Sequence, residues 1–143
     1  MVENKPYDNI VDVNGAINEN WYRWFDLLTN QANYGTSPST GQELSAGDQV
    51  QINSTMVRVE GASVGTTTLT SDPQFNSGSG VLDGQTVTIE GTSNDNMLEL
   101  VDGNGLQLNA STNFTLGQGD TITLHYNSDR DIWVEDYRST NNT

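Results

Sequence analysis

The chain has no cysteine in its 143 residues. Disulfides and thiolate metal sites are therefore excluded, and the redox compartment is left unread. Basic residues are nearly as scarce: 5 Lys and Arg stand against 19 Asp and Glu, a formal net charge of −14. No basic cluster exists to neutralise phosphates, and that neutralisation supplies most nucleic-acid affinity, so nucleic acid is excluded as a partner. An anionic membrane surface is disfavoured for the same reason. No apolar run approaches membrane-spanning length. The opening MVENKPYDNIVDV lacks the basic start and apolar stretch of a secretory signal, so the expectation is a chain used without Sec-type export.

What the chain does have is Asn, Gly, Thr, Ser and Asp, interrupted by one dense aromatic stretch, NWYRWFDLL at 20–28. Residues 1–17 read as an extended arm, with Ile10, Val11 and Val13 before a turn at Asn14-Gly15. Asn18 is placed to cap a helix starting at Glu19, whose carboxylate suits the first turn. Trp21, Trp24, Phe25 and Leu28 follow at i, i+3, i+4 and i+7, the spacing of one helix face. Such a short helix is marginal alone. Each aromatic ring can nonetheless bury about 150–250 Å² against a partner, so this face is expected to anchor the chain in a groove or in a bundle with its symmetry mates. The bland alternative is packing on its own domain.

NQANYGTSPSTGQ, 30–42, has no periodicity and reads as a linker. Beyond it the pattern switches to period two: Val50 and Ile52, then Met56 or Val57 and Val59, Val87 and Ile89, and Ile122, Leu124 and Tyr126. The last hundred residues are thus expected to be all β. LSAGDQVQI (44–52), LDGQTVTI (82–89) and LGQGDTITL (116–124) form a weak repeat of a leucine, a glycine turn and an alternating strand. A solenoid would need more regular copies, so the repeat is read as one way of leading a loop into a strand, reused in a sandwich.

Motifs that would carry chemistry mostly fail on context. GASVG (61–65) matches a nucleophile elbow, but TTTLT after it forms strand, not the required helix. His125, the sole histidine and the only base available to a Ser-His-Asp triad, alternates with Leu124 and Tyr126 and shares the wet face with Thr121 and Thr123. Two facing carboxylates could form a glycosidase pair, yet Asp48, Asp83, Asp102 and Asp120 fall in turns, where bonding the local backbone is their ordinary work. DGNG (102–105) and NSDRD (127–131) offer oxygen ligands for Ca²⁺ without EF-hand spacing, and read as a hairpin turn and a loop. No enzyme activity, cofactor or metal site is therefore expected. In DIWVEDYRS, Trp133 and Tyr137 sit four apart, and Ile132 and Val134 cannot share a strand face with Trp133. Trp133 either fills the core or packs across a subunit seam.

The run TLTSDPQFNSGSGVLDGQTVTIEGTSNDNMLELVDGNGLQLNASTNFTLGQGDTITLHYNSDRDIWVEDYRS, 68–139, resembles a module of tailed-bacteriophage structural proteins, including tail fibres and head fibre or decoration proteins. It has that module's order of a DGQ-V-I-GT stretch, a GNGL-L turn and a FTLG-GDT-TL-Y---WVE--RS ending. IVDVNGAINENWYRWFDLL also resembles the short leader of phage virion proteins. No collagen-like or coiled-coil shaft separates the two pieces, so a short fibre or decoration protein fits better than a full-length receptor-binding fibre.

The expected architecture is mainly β, an antiparallel β-sandwich of jelly-roll type, preceded by an N-terminal arm and one amphipathic helix. Residues 1–31 form the arm and anchor helix, 32–43 the linker and 44–143 the sandwich. The resemblance implies a homotrimer on the virion surface, held to other capsid, neck or tail proteins. Trp21, Trp24, Phe25 and Leu28 are the anchor candidates. Tyr126, Trp133 and Tyr137 are candidates for a secondary interface, or for contact with a host surface glycan if the chain is instead an adhesion module.

Overall fold

In the computed structural model, residues 41–141 are described. The arm, the helix face of Trp21, Trp24, Phe25 and Leu28, and the linker as far as residue 40 lie outside them. Eleven strands account for about half of the described residues: β1 (Gln42–Leu44), β2 (Val50–Gln51), β3 (Met56–Gly61), β4 (Gly65–Thr68), β5 (Phe75–Asn76), β6 (Thr86–Gly91), β7 (Asn96–Leu100), β8 (Leu106–Gln107), β9 (Phe114–Leu116), β10 (Thr121–Asn127) and β11 (Ile132–Ser139). Gln42 and Glu43, read as the end of the linker, already belong to β1 and pair with β3.

Period-two patterning decides which face each strand buries. Val57 and Val59 of β3, Val87 and Ile89 of β6, and Ile122 and Leu124 of β10 all turn inward. Leu98 and Leu100 of β7 and Phe114 and Leu116 of β9 belong to the same hydrophobic cluster. A single core therefore joins a six-stranded sheet, ordered β1-β3-β6-β10-β11-β8, to a three-stranded one, β4-β7-β9. β2 and β5 form a third, two-stranded piece.

The mainly-β expectation holds; the antiparallel part needs correction. β1–β3, β3–β6, β4–β7, β2–β5 and β8–β11 pair in parallel, and only β6–β10, β10–β11 and β7–β9 are antiparallel. The cause is a path taken twice. β3 leaves the large sheet at Gly61 and enters the small sheet as β4; β6 leaves at Gly91 and enters as β7, directly alongside. Neither glycine can carry a side chain. A Cβ on Gly61 would lie 2.6 Å from Thr67 Oγ1 and 2.8 Å from the Met97 carbonyl, and one on Gly91 would overlap the Gly117 carbonyl. The sequence carries this repeat as Val57-x-Val59-Glu60-Gly61-x-Ser63 against Val87-x-Ile89-Glu90-Gly91-x-Ser93.

The leucine–glycine repeat corresponds to three similar turns. At Ser45–Asp48, Leu82–Gln85 and Gly117–Asp120 the fourth residue's N–H donates to the first residue's carbonyl, at 3.0, 3.0 and 3.1 Å. The first residue's N–H donates to the fourth side chain, Asp48, Gln85 or Asp120, at 2.9, 3.2 and 2.9 Å. The leucines are not equivalent, because Leu44 and Leu116 are buried and Leu82 is exposed. Asp102 likewise caps the backbone, accepting from the Leu108 N–H at 2.8 Å. The turn carboxylates thus have the local role expected of them, although Asp83 reaches across to the Ser128 N–H in the β10–β11 turn.

Candidate functional site

β11 does not keep one face inward. Leu124 of β10 pairs with Glu135 and Thr123 with Tyr137, so Asp136 is an extra residue, a β-bulge. Before the bulge Trp133 and Glu135 point inward; after it the parity inverts and Tyr137 turns out to solvent at 62% exposure. Trp133 and Tyr137, four apart in sequence, therefore lie on opposite faces of the sheet. Arg138 occupies the inward position instead, 4.7 Å above the Phe114 ring. It donates to the buried Glu135 carboxylate through Nε at 2.6 Å and to the Thr112 carbonyl at 3.2 Å. Glu135 also accepts the Asn109 N–H at 2.8 Å. The Arg138 guanidinium holds the Glu135 carboxyl below the ordinary carboxylate value, and the Asn109 bonds act in the same direction against the opposing effect of burial.

Trp133 belongs to the hydrophobic core of its own chain, the first of the two alternatives. Its ring lies 5.4 Å from Tyr126 and 6.1 Å from Phe75, centroid to centroid, both tilted. Its indole N–H donates to Ser77 Oγ at 3.0 Å. With the ring only 3% exposed and its N–H engaged, Trp133 offers little to a ligand directly. Tyr126, half-buried on the same side of β10 as Ile122 and Leu124, is the ring that remains at the surface. Its hydroxyl donates to Asp131 Oδ1 at 2.6 Å. That bond, with desolvation and the charge of Asp131 and Asp83, pushes the phenol above its ordinary value.

These rings form the floor and one wall of a groove of about 440 Å³. The opposite wall comes from the loop around β5, with Asp72, Pro73, Asn76, Ser77 and Gly78, and from Gln49 before β2. Two local bonds set its shape: Gln49 Nε2 donates to the Pro73 carbonyl at 2.9 Å, and Asn76 Oδ1 accepts the Gly78 N–H at 3.1 Å. Behind it Gln74 is fully buried. Its amide accepts the Val101 N–H at 2.9 Å and donates to the Val101 and Gly103 carbonyls at 2.7 and 3.1 Å, standing in for a strand that is not there.

Of the three sequence candidates, then, the fold brings Tyr126 and Trp133 together and sends Tyr137 elsewhere. Sequence reading missed Asp72, Asn76, Ser77 and Gln49, which lie up to 84 positions from Trp133 and meet it only through the β2–β5 and β10–β11 pairings. The one local signal was SDPQFNSGSG, 71–80, an aperiodic turn-forming stretch.

The other motifs resolve as follows. β4 comes after Ser63, where a nucleophile elbow needs a helix. His125 Nδ1 lies 2.7 Å from Asp136 Oδ1 on the outer face of the large sheet, half exposed. Gly103 and Leu106 exchange backbone bonds around Asn104-Gly105, a tight hairpin. In NSDRD, Asn127 Oδ1 accepts the Arg130 N–H at 3.1 Å, a local turn. Among the described residues no group of three or more His, Asp or Glu is placed to hold a metal ion.

No family model matches the chain. No curated protein matches it either. Among solved structures, one described as a chaperone–substrate complex is similar at a TM-score of 0.40 and 18% identity, over 72% of this chain and 18% of that one. This chain thus spans less than a fifth of that neighbour's length, and a likeness so weak assigns neither function nor partner.

Proposed function

We propose that this chain is a structural protein of a tailed-bacteriophage virion, a short trimeric fibre or decoration protein. It stands on the particle surface and is anchored through the aromatic segment holding Trp21, Trp24, Phe25 and Leu28. The observation that carries this reading is the stretch 68–139, whose resemblance to phage structural modules runs from the end of β4 through β11. That stretch is a β body with its own core, to which a separate apolar segment is appended in sequence. The mechanism is apolar docking at one end and a soluble, acidic β surface at the other. The test is particle association. Trp21→Ser with Trp24→Ser is expected to abolish co-sedimentation with virions while the β-sheet circular dichroism stays unchanged. Undiminished association would end the anchor reading, and absence of the wild-type chain from purified particles would end the virion reading.

A second reading, a glycan-binding adhesion module, is favoured by the groove beside Tyr126. A ring at the surface, flanked by carboxylate and amide groups, is the chemistry that recognises sugars. Glycan-array binding by the full chain tests it.

A further inference from the structure

Resting on the adhesion reading, we infer that the groove between the β5 loop and the β10–β11 turn takes a neutral, hydroxyl-rich saccharide. It is held by Asp72, Asp131 and Asn76 over the Tyr126 ring. The cavity, about 440 Å³, falls within the usual range for small-ligand sites. Its polar groups are mostly unfilled acceptors. Asp131 uses one oxygen on the Tyr126 hydroxyl and keeps the other. Asn76 uses its carbonyl on Gly78 and keeps its NH₂. The Asp72 carboxylate takes no hydrogen bond from a described residue. A ligand that satisfies this set must bring several O–H donors and few charges, which describes a sugar with free hydroxyls.

The apolar side of the groove agrees with that choice. Tyr126, which lines the groove together with Val81 and Ile132, offers a surface for sugar C–H groups, and its bond to Asp131 fixes the ring before any ligand arrives. The indole behind it is locked by Ser77, so the wall is preformed. Sialylated, uronate or sulfated sugars meet two carboxylates and a chain of net charge −14, and are rejected. A divalent cation is not favoured, since the described residues hold no cluster of three or more candidate ligands.

The experiment is a screen of the full-length protein on neutral and acidic oligosaccharides, followed by calorimetric titration of the neutral hit. Asp72→Asn is expected to weaken binding about tenfold, the loss of one charge-assisted hydrogen bond, with an unchanged melting temperature. Tyr126→Ala is expected to abolish binding. Tyr137→Ser, on the other face of the sheet, should leave affinity within about twofold, as expected for additive sites without shared contacts. Preference for acidic glycans would overturn the inference, as would competition by calcium chloride alone or full affinity in Asp72→Asn. Saccharide binding that survives Asp72→Asn and is lost in Tyr137→Ser would keep the adhesion reading and discard the groove. No binding at millimolar sugar would remove both.

Discussion

Gln74 and Glu135 are polar side chains that a hydrophobic core ordinarily excludes, and each is buried because it completes backbone hydrogen bonding that the strands leave open. Gln74→Leu keeps the volume but strands the Val101 N–H and two carbonyls. Leaving such groups unpaired costs roughly 1–3 kcal/mol each, so urea unfolding should show a loss of at least about 2 kcal/mol. Glu135 adds a pH dependence. A carboxyl whose folded value lies below its unfolded one stabilises the fold above the unfolded value, and that contribution is lost as pH falls through the folded value. The Glu135 carboxyl is lowered from an ordinary 4.5. The melting temperature should therefore fall as pH drops below about 4.5, and Glu135→Gln should flatten this slope while lowering stability at neutral pH. An equally steep slope in the variant would assign the acid sensitivity to other carboxylates.

At the scale of strands, the doubled passage from large sheet to small sheet depends on two glycines. Gly91→Ala sets a methyl against the Gly117 carbonyl, which belongs to the backbone and cannot rotate aside. Overpacking of this kind costs about 1–3 kcal/mol or more. Gly47→Ala, with nothing within 4 Å of its new methyl, should stay within about 0.5 kcal/mol of wild type; equal losses in the two would refute the close-approach argument. The same elements show what could be read in advance. Val57, Val59, Val87, Ile89, Ile122 and Leu124 advertise their inward face by alternation. Alternation has the same period in parallel and antiparallel strands, so it is silent on pairing direction. The GASVG motif drew attention to Ser63, whereas Gly61 was the informative residue. Trp133 and Tyr137, four apart, have the parity of one strand face, but the bulge at Asp136 separates them, since one inserted residue inverts every later side chain. The groove was hidden because its walls come from three distant segments.

For the whole molecule, the decisive quantity is the imbalance between a net charge of −14 and the few large apolar groups that could oppose it. Copies of this chain repel at low ionic strength, and salt screens that repulsion over a Debye length of about 10 Å at 0.1 M. If the full chain trimerises, the trimer fraction measured by sedimentation should rise with sodium chloride. The solution mass should then approach three times the 15.6 kDa of one chain. Trp21→Ser with Trp24→Ser should leave a monomer at every salt concentration. A wild-type monomer throughout at micromolar protein would refute the trimer.

The passage that β3–β4 and β6–β7 make side by side also has a bearing on size. Because each such layer rests on the one before it through parallel pairing, a further copy of 57–86 spliced after residue 86 meets the same template that β6 and β7 already meet. Every insertion would add one strand spacing, about 4.8 Å, between β3 and β6, leaving the pairing of β6 with β10 in place. The domain is in this respect a ruler with a fixed graduation, whose reach could be lengthened by gene duplication alone.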